Sequence, residues 1–146
     1  MSDWKLYLRR LFDRSPDVHR SRDDVVRYIQ TTVVEALQEV QEELKDYGRT
    51  GRLNTSDDAA ALTVFHEGTE EFHYAVKART YRLPNFAFPA MNLDDDEARY
   101  HRAEVHLRGE AHPYDLMGST REEVIHDFLE EYGRQMRWQK PSRGET

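Results

Sequence analysis

The stretch Phe72-His-Tyr-Ala-Val-Lys-Ala-Arg79 decides the fold. Phe72, Tyr74, Val76 and Ala78 alternate with His73, Lys77 and Arg79, the period of two of a strand with one buried and one wetted face. The strand is expected to run to Leu83 and to end at Pro84-Asn85. Upstream, Ala61 to His66 reads as a second strand, joined across Glu67-Gly68-Thr69-Glu70. Downstream, Tyr100 to Arg108 alternates again: His101, Ala103, Val105 and Leu107 on one face, Arg102, Glu104, His106 and Arg108 on the other. Gly109-Glu110 turns the chain, and Tyr114 to Met117 returns as a short strand. The expectation is an antiparallel sheet of about four strands. Between the strands, Phe86, Phe88 and Met91 sit in a Pro-flanked loop expected to plug the core edge. Asp94-Asp95-Asp96-Glu97 reads as an acidic turn. Arg49 to Asp58 is polar and Gly-containing, a loop or a weak strand.

Helical periods bracket these strands. Ser21 suits an N-cap, with Asp24 in the capping-box position. Val26, Ile29, Val33, Leu37, Val40, Leu44 and Tyr47 follow at steps of three and four, one apolar stripe on a helix of about 26 residues, or roughly 39 Å. Gly48 is a natural stop. Near the C-terminus, Ser119 and Thr120 are capping residues, with Glu122 and Glu123 three residues after each. The core face of that last helix reads Val124, Ile125, Phe128, Leu129, Tyr132 and Met136. Helix, strands, helix implies an α+β fold, both helices packed on one face of the sheet. The other face should stay solvated, lined by Lys77, Arg79, Arg102, Glu104, His106 and Arg108. The expected organisation is a basic amphipathic arm over 1–20, a single domain over 21–139 and a flexible tail over 140–146.

Charge divides the chain. Its 146 residues carry a net −7, yet the first 22 carry +3 and the remainder −10. An acidic body lacks the basic stripe that displaces counterions from nucleic acid, so no nucleic-acid partner is expected. In the basic head, Trp4, Leu8, Leu11 and Phe12 share a face at helical spacing, with Lys5, Arg9, Arg10 and Arg14 beside them. Two readings fit: an interfacial helix at a membrane surface, and an amphipathic arm packed on its own domain, the commoner case. No apolar run approaches the ~18 residues that span a bilayer, and no apolar segment follows the first basic residues as in a signal peptide. The chain as given is therefore expected to be soluble. The absence of cysteine excludes disulfide scaffolds, thiol nucleophiles and cysteine metal sites.

No constellation for catalysis stands out, so no catalytic, cofactor or metal site is expected. Glu123-Val-Ile-His126 matches one copy of the Glu-x-x-His of di-iron bundles, which need two copies and further glutamates. The Asp94–Glu97 run lacks the spacing of a calcium loop. There is no Gly-x-Ser-x-Gly elbow and no Gly-rich phosphate loop. His106 titrates near neutrality, but no partner stands at a recognisable spacing. Glu104 beside Arg102 or Arg108 reads as a surface ion pair, worth about 0–1 kcal/mol. Tyr114-Asp115 reads as a strand end feeding the helix cap.

A family resemblance rests on the last third. The residues are Arg99-Tyr-His-Arg-Ala-Glu-Val-His-Leu-Arg-Gly109, Tyr114-Asp-Leu-Met-Gly118 and Ser119-Thr-Arg-Glu-Glu-Val-Ile-His-Asp-Phe-Leu-Glu-Glu-Tyr132. They resemble the cytoplasmic C-terminal domain of BetT-type high-affinity choline transporters, in the betaine/choline/carnitine transporter family. A looser likeness runs through Arg27-Tyr-Ile, Thr31-Thr-Val and Glu39-Val-Gln-Glu-Glu-Leu44. Departures are Ser119, where an aromatic residue usually follows the Gly, Glu123 for a common Gln, and the ending Gly133-Arg-Gln-Met-Arg-Trp138. The membrane helices of such a transporter, and with them its quaternary-ammonium site, are not in this chain. The resemblance implies a noncatalytic regulatory tail that tunes uptake for glycine betaine osmoprotection, at the cytoplasmic face of the inner membrane. It implies as partner the transporter's membrane part or an anionic membrane surface; a homo-oligomer is compatible with it. In that setting Trp4, Lys5, Arg9, Arg10, Phe12 and Arg14 are the expected contact residues, and Arg102, Glu104, Tyr114 and Asp115 a candidate regulatory surface. The alternative is a free-standing interaction or ligand-binding domain using the polar sheet face.

Overall fold

The computed structural model describes residues 21–82, 99–109 and 112–137. The basic arm, the Phe86/Phe88/Met91 loop, the acidic turn and the tail from 140 lie outside the described residues. The first helix, α1, is α-helical over Arg22–Tyr28, π-helical over Ile29–Val33, α-helical again over Val34–Leu44, and closes in a 3-10 turn over Lys45–Tyr47. Ser21 caps it as expected: its Oγ accepts from Asp24 N while Asp24 Oδ2 accepts from Ser21 N. The wide turn falls on a β-branched run, Thr31 to Val34, whose side chains crowd a regular turn. There Thr31 Oγ1 donates to Arg27 O at 2.8 Å. Gly48, with φ of 73°, ends the helix in the left-handed conformation that glycine adopts without strain.

Five strands follow: β1 Thr50–Ser56, β2 Ala59–His66, β3 Thr69–Arg82, β4 Arg99–Leu107 and β5 Tyr114–Asp115. They pair antiparallel in chain order. The segment read as a loop or weak strand is thus a full edge strand, with Leu53 opposite Leu62. Its Gly51 sits under α1, where an added Cβ would meet Gln41 Cγ and Leu62 Cδ1 at 3.2 Å. That close approach lets Gln41 Nε2 donate to Gly51 O at 2.8 Å. The β2–β3 turn is tighter than the four residues expected: Glu67 and Gly68 alone make it, at φ of 53° and 82°, as in the primed hairpin turns that match strand twist.

The last helix, α2, spans Arg121–Met136. Thr120 rather than Ser119 is its cap, in a reciprocal pair with Glu123. Both helices lie on one face of the sheet. Val25, Ile29, Val33 and Leu37 of α1 and Val124, Phe128 and Tyr132 of α2 share a core with Leu62, Val64, Phe72, Tyr74, Val76, Ala103 and Val105. Phe72 packs edge-on to Phe128 at 5.1 Å and stacked on Tyr132 at 5.2 Å, geometries that suit the ring quadrupoles. The fold class is α+β, as the alternation around Phe72 predicted. The stripe of α1 needs two corrections. It begins on buried Val25, with Val26 only half-buried, and it stops at Leu44. Tyr47 is 66% exposed, because the 3-10 turn rotates it off the core face. Leu129 of α2, assigned to the core, is 50% exposed.

Candidate functional site

The candidate regulatory residues meet around β4. Register places Lys77 opposite Glu104 and Arg79 opposite Arg102, while Asp115 stands opposite Glu104 on the other side. Side chains of one parity face the helices and the other parity faces away. On the face away from the helices, Arg102, Glu104 and His106 therefore stand in a row with Lys77 and Arg79 beside them.

Glu104 is not the solvated surface carboxylate expected. It is 1% exposed. Tyr81 Oη donates to its Oε2 at 2.6 Å, and Arg102 Nε lies 3.5 Å from the same oxygen. His106 Nε2 stands 3.0 Å from Oε1, without the alignment of a hydrogen bond. The Arg102 guanidinium lies over the Tyr81 ring at 5.6 Å, and Tyr81 stacks on Tyr100 at 5.6 Å. A buried carboxylate needs partners because desolvation penalises its charge; here the Tyr81 phenol, the Arg102 guanidinium and the His106 imidazole surround it. Burial holds the His106 imidazole below the ordinary histidine range, and Lys77 and Arg79 push the same way against the pull of Glu104. The bond to Glu104 raises the Tyr81 phenol above its ordinary value. Chemically the cluster can take up a proton at His106 beside a ready carboxylate. The Arg102–Glu104 pair was read from the sequence as a surface ion pair; the structure buries it and adds Tyr81 and His106 as partners.

Tyr114 and Asp115 do different work. Asp115 Oδ1 accepts from Ala103 N and Met117 N at 3.1 Å each, tying β5 to β4 and starting the turn into α2. The side chain of Tyr114 faces the helices, where its Oη donates to Asp127 Oδ2 at 2.7 Å. Tyr74 Oη donates to the same oxygen at 2.6 Å. Burial raises the Asp127 carboxyl above the usual carboxylate range, although both phenols pull it down. Both phenols are themselves raised, first by burial and then by Asp127. The Arg134 side chain bonds Glu131, which also receives Tyr114 Oη at 3.2 Å.

Sequence reasoning passed over this inner network, and a second one around Glu71. Tyr132 Oη donates to Glu71 Oε1 at 2.5 Å, and Arg49 donates to both Glu71 oxygens at 3.3 and 3.2 Å. Burial alone would raise the Glu71 carboxyl, but these bonds outweigh it and hold the group below its ordinary value. The Tyr132 phenol is pushed up to about 12, by burial first. The available signal was periodic: Asp127 and Tyr132 fall on the inward side of α2, where a polar tip needs a buried partner.

Among the described residues, no group of three or more His, Asp or Glu side chains could hold a metal ion. Among them no helix is long and apolar enough to cross a membrane. The basic-arm residues Trp4 to Arg14 lie outside the described residues. The site is thus a set of buried and half-buried carboxylates held by tyrosines and arginines, in a small α+β domain.

Over 126 residues, 86% of this chain, the sequence is 31% identical to a glycine betaine transporter of Acinetobacter baylyi (strain ATCC 33305 / BD413 / ADP1). The chain spans 19% of that relative's length. No protein-family model matches the chain. The likeness is to a transporter rather than to an enzyme. Its named solute is glycine betaine, where the resemblance in the last third pointed to choline; both carry a quaternary ammonium group.

Proposed function

We propose that this chain is a noncatalytic regulatory domain of an osmolyte transporter for quaternary ammonium solutes such as choline or glycine betaine. It works at the cytoplasmic face of the inner membrane and tunes uptake to osmotic stress. One observation carries the reading: most of the chain aligns with a minor share of a transporter, while its described residues form an α+β domain without a membrane-crossing helix. A segment of that kind is an appendage to the transport machinery.

The charge distribution supports a mechanism. The first 22 residues carry +3 and the remainder −10. Beside an anionic leaflet each basic side chain contributes about 1 kcal/mol of attraction, so Lys5, Arg9, Arg10 and Arg14 hold the head while the acidic body is repelled. Rising internal salt shortens the screening length from about 8 Å at 0.15 M to about 3 Å at 1 M. Both terms then weaken, and the domain's position relative to the membrane part shifts with ionic strength. The test is the triple change Arg9→Gln, Arg10→Gln, Arg14→Gln in a full transporter carrying this domain, with solute uptake measured against osmolality. The expected result is an activation curve displaced along the osmolality axis; an unchanged curve overturns the mechanism.

A further inference from the structure

Charge is layered in the fold. The helices are acidic: α1 holds seven carboxylates against three cationic side chains, and α2 holds five against two. The sheet face turned away from them is basic. Register puts Arg52, Lys77, Arg79, Arg102 and Arg108 there, against Glu70, Glu104 and Asp115. All three carboxylates are engaged: Glu70 with Arg108, Glu104 with Tyr81 and Arg102, and Asp115 with two backbone N–H groups. Arg52, Lys77 and Arg79 are exposed, and among the described residues none of the three pairs with a carboxylate. Arg79 stands directly opposite Arg102, a like-charge pair that disfavours the sheet by itself. Between these cations the face carries small side chains, with Ala61 opposite Ala75 and Thr63 opposite His73.

We propose that this face docks on an anionic lipid leaflet, with the helix layer turned outward. Shape selects a leaflet over a peptide: a sheet surface of small side chains set with cations meets a plane and offers an extended chain no groove. Distance lets the docking happen in an acidic chain. The outward carboxylates of α1 and α2 lie about a helix diameter, roughly 10 Å, beyond the sheet, and the screening length at physiological salt is about 8 Å. A leaflet under the sheet therefore acts on Arg52, Lys77 and Arg79 more than on the helix carboxylates. In any other orientation the acidic body is repelled, so the leaflet orients the domain, and rising salt loosens that hold. This docking rests on the membrane setting of the proposed function and names the face that meets it.

The test uses the whole chain and vesicles of phosphatidylglycerol mixed with phosphatidylcholine, with flotation reading the bound fraction. Lys77→Gln with Arg79→Gln should weaken binding by about tenfold or more at low salt, with circular dichroism unchanged. Arg27→Gln with Lys45→Gln, at exposed positions of α1, makes the same change in net charge and should leave binding within about twofold. The chain has no cysteine, so a single fluorescent label reads the orientation. A label at Asn54→Cys lies on the sheet face, opposite Ala61, and one at Gln38→Cys lies on exposed α1. A headgroup-borne quencher should dim the first and spare the second. Equal weakening by the two charge variants overturns the docking, as does equal quenching of the two labels. A chain that ignores the vesicles overturns it too, and assigns the basic face to an acidic protein. The regulatory reading fails separately: the predicted quenching with an unchanged uptake curve removes regulation alone, and equal quenching with a displaced curve removes this docking alone.

Discussion

Glu104 shows how a residue's neighbours can reverse the reading of its strand. The alternation around Val105 put it on the wetted face, and by register that is where it points; yet it is buried, bonded to Tyr81 and flanked by Arg102 and His106. Period-two patterning reports which face a side chain takes, not what Tyr81 from the next strand lays over it. His106 carries a consequence for pH. Its folded-state pKa is lowered, so the unfolded chain binds the proton more readily. Stability is then fully present above the unfolded value of about 6.5 and declines as pH falls below it. His73, lowered by burial and by Arg108, contributes in the same direction. Urea midpoints measured from pH 7.5 to 5 should fall, and His106→Asn should reduce that slope without abolishing it. Asp127 has the opposite sign: its raised value means that the folded state takes up a proton more readily above the usual carboxylate range. Tyr74→Phe removes a 2.6 Å bond to that carboxylate and should cost about 1.5–3 kcal/mol. An Asp127 pKa that rises further, followed by NMR titration, would accompany that loss.

At the scale of elements, strands and helices with strong periods were readable and weakly patterned ones were not. β3 and β4 follow from Phe72–Ala78 and His101–Leu107 because every second side chain meets the helices. β1 reads Thr50-Gly-Arg-Leu-Asn-Thr-Ser56 and offers only Leu53 to the core, so nothing in its pattern distinguishes an edge strand from a loop. Tyr47 and Leu129 continue good helical periods, but their surroundings leave them open: one lies in the closing 3-10 turn, and the other faces a groove. The hairpin and the second cap give direct tests. Glu67 occupies a left-handed position at φ of 53°, which asparagine tolerates better. Glu67→Asn should therefore stabilise the domain by about 0.5–1 kcal/mol in urea denaturation. Thr120→Ala deletes the hydroxyl that receives Glu123 N and should destabilise by about 1 kcal/mol, with α2 losing amide-exchange protection first at its N-terminus.

For the whole molecule, the sum of charges matters more than any pair. A net −7 alone describes an ordinary acidic domain; the division into a +3 head and a −10 remainder describes one whose two parts respond oppositely to an anionic surface. The helix layer adds a groove bordered by Glu39 and Glu43. That division was legible in the sequence. The groove was not, since it arises from α1 and α2 coming side by side across a gap of more than seventy residues. The most direct measurement concerns the transporter that the chain resembles. Glycine betaine uptake against osmolality is compared for the Acinetobacter baylyi protein, for a form lacking its matched segment, and for a chimera carrying this chain there. The account predicts that the shortened protein loses its osmotic activation and that the chimera regains it. An activation curve unchanged by removing the segment would contradict the regulatory role.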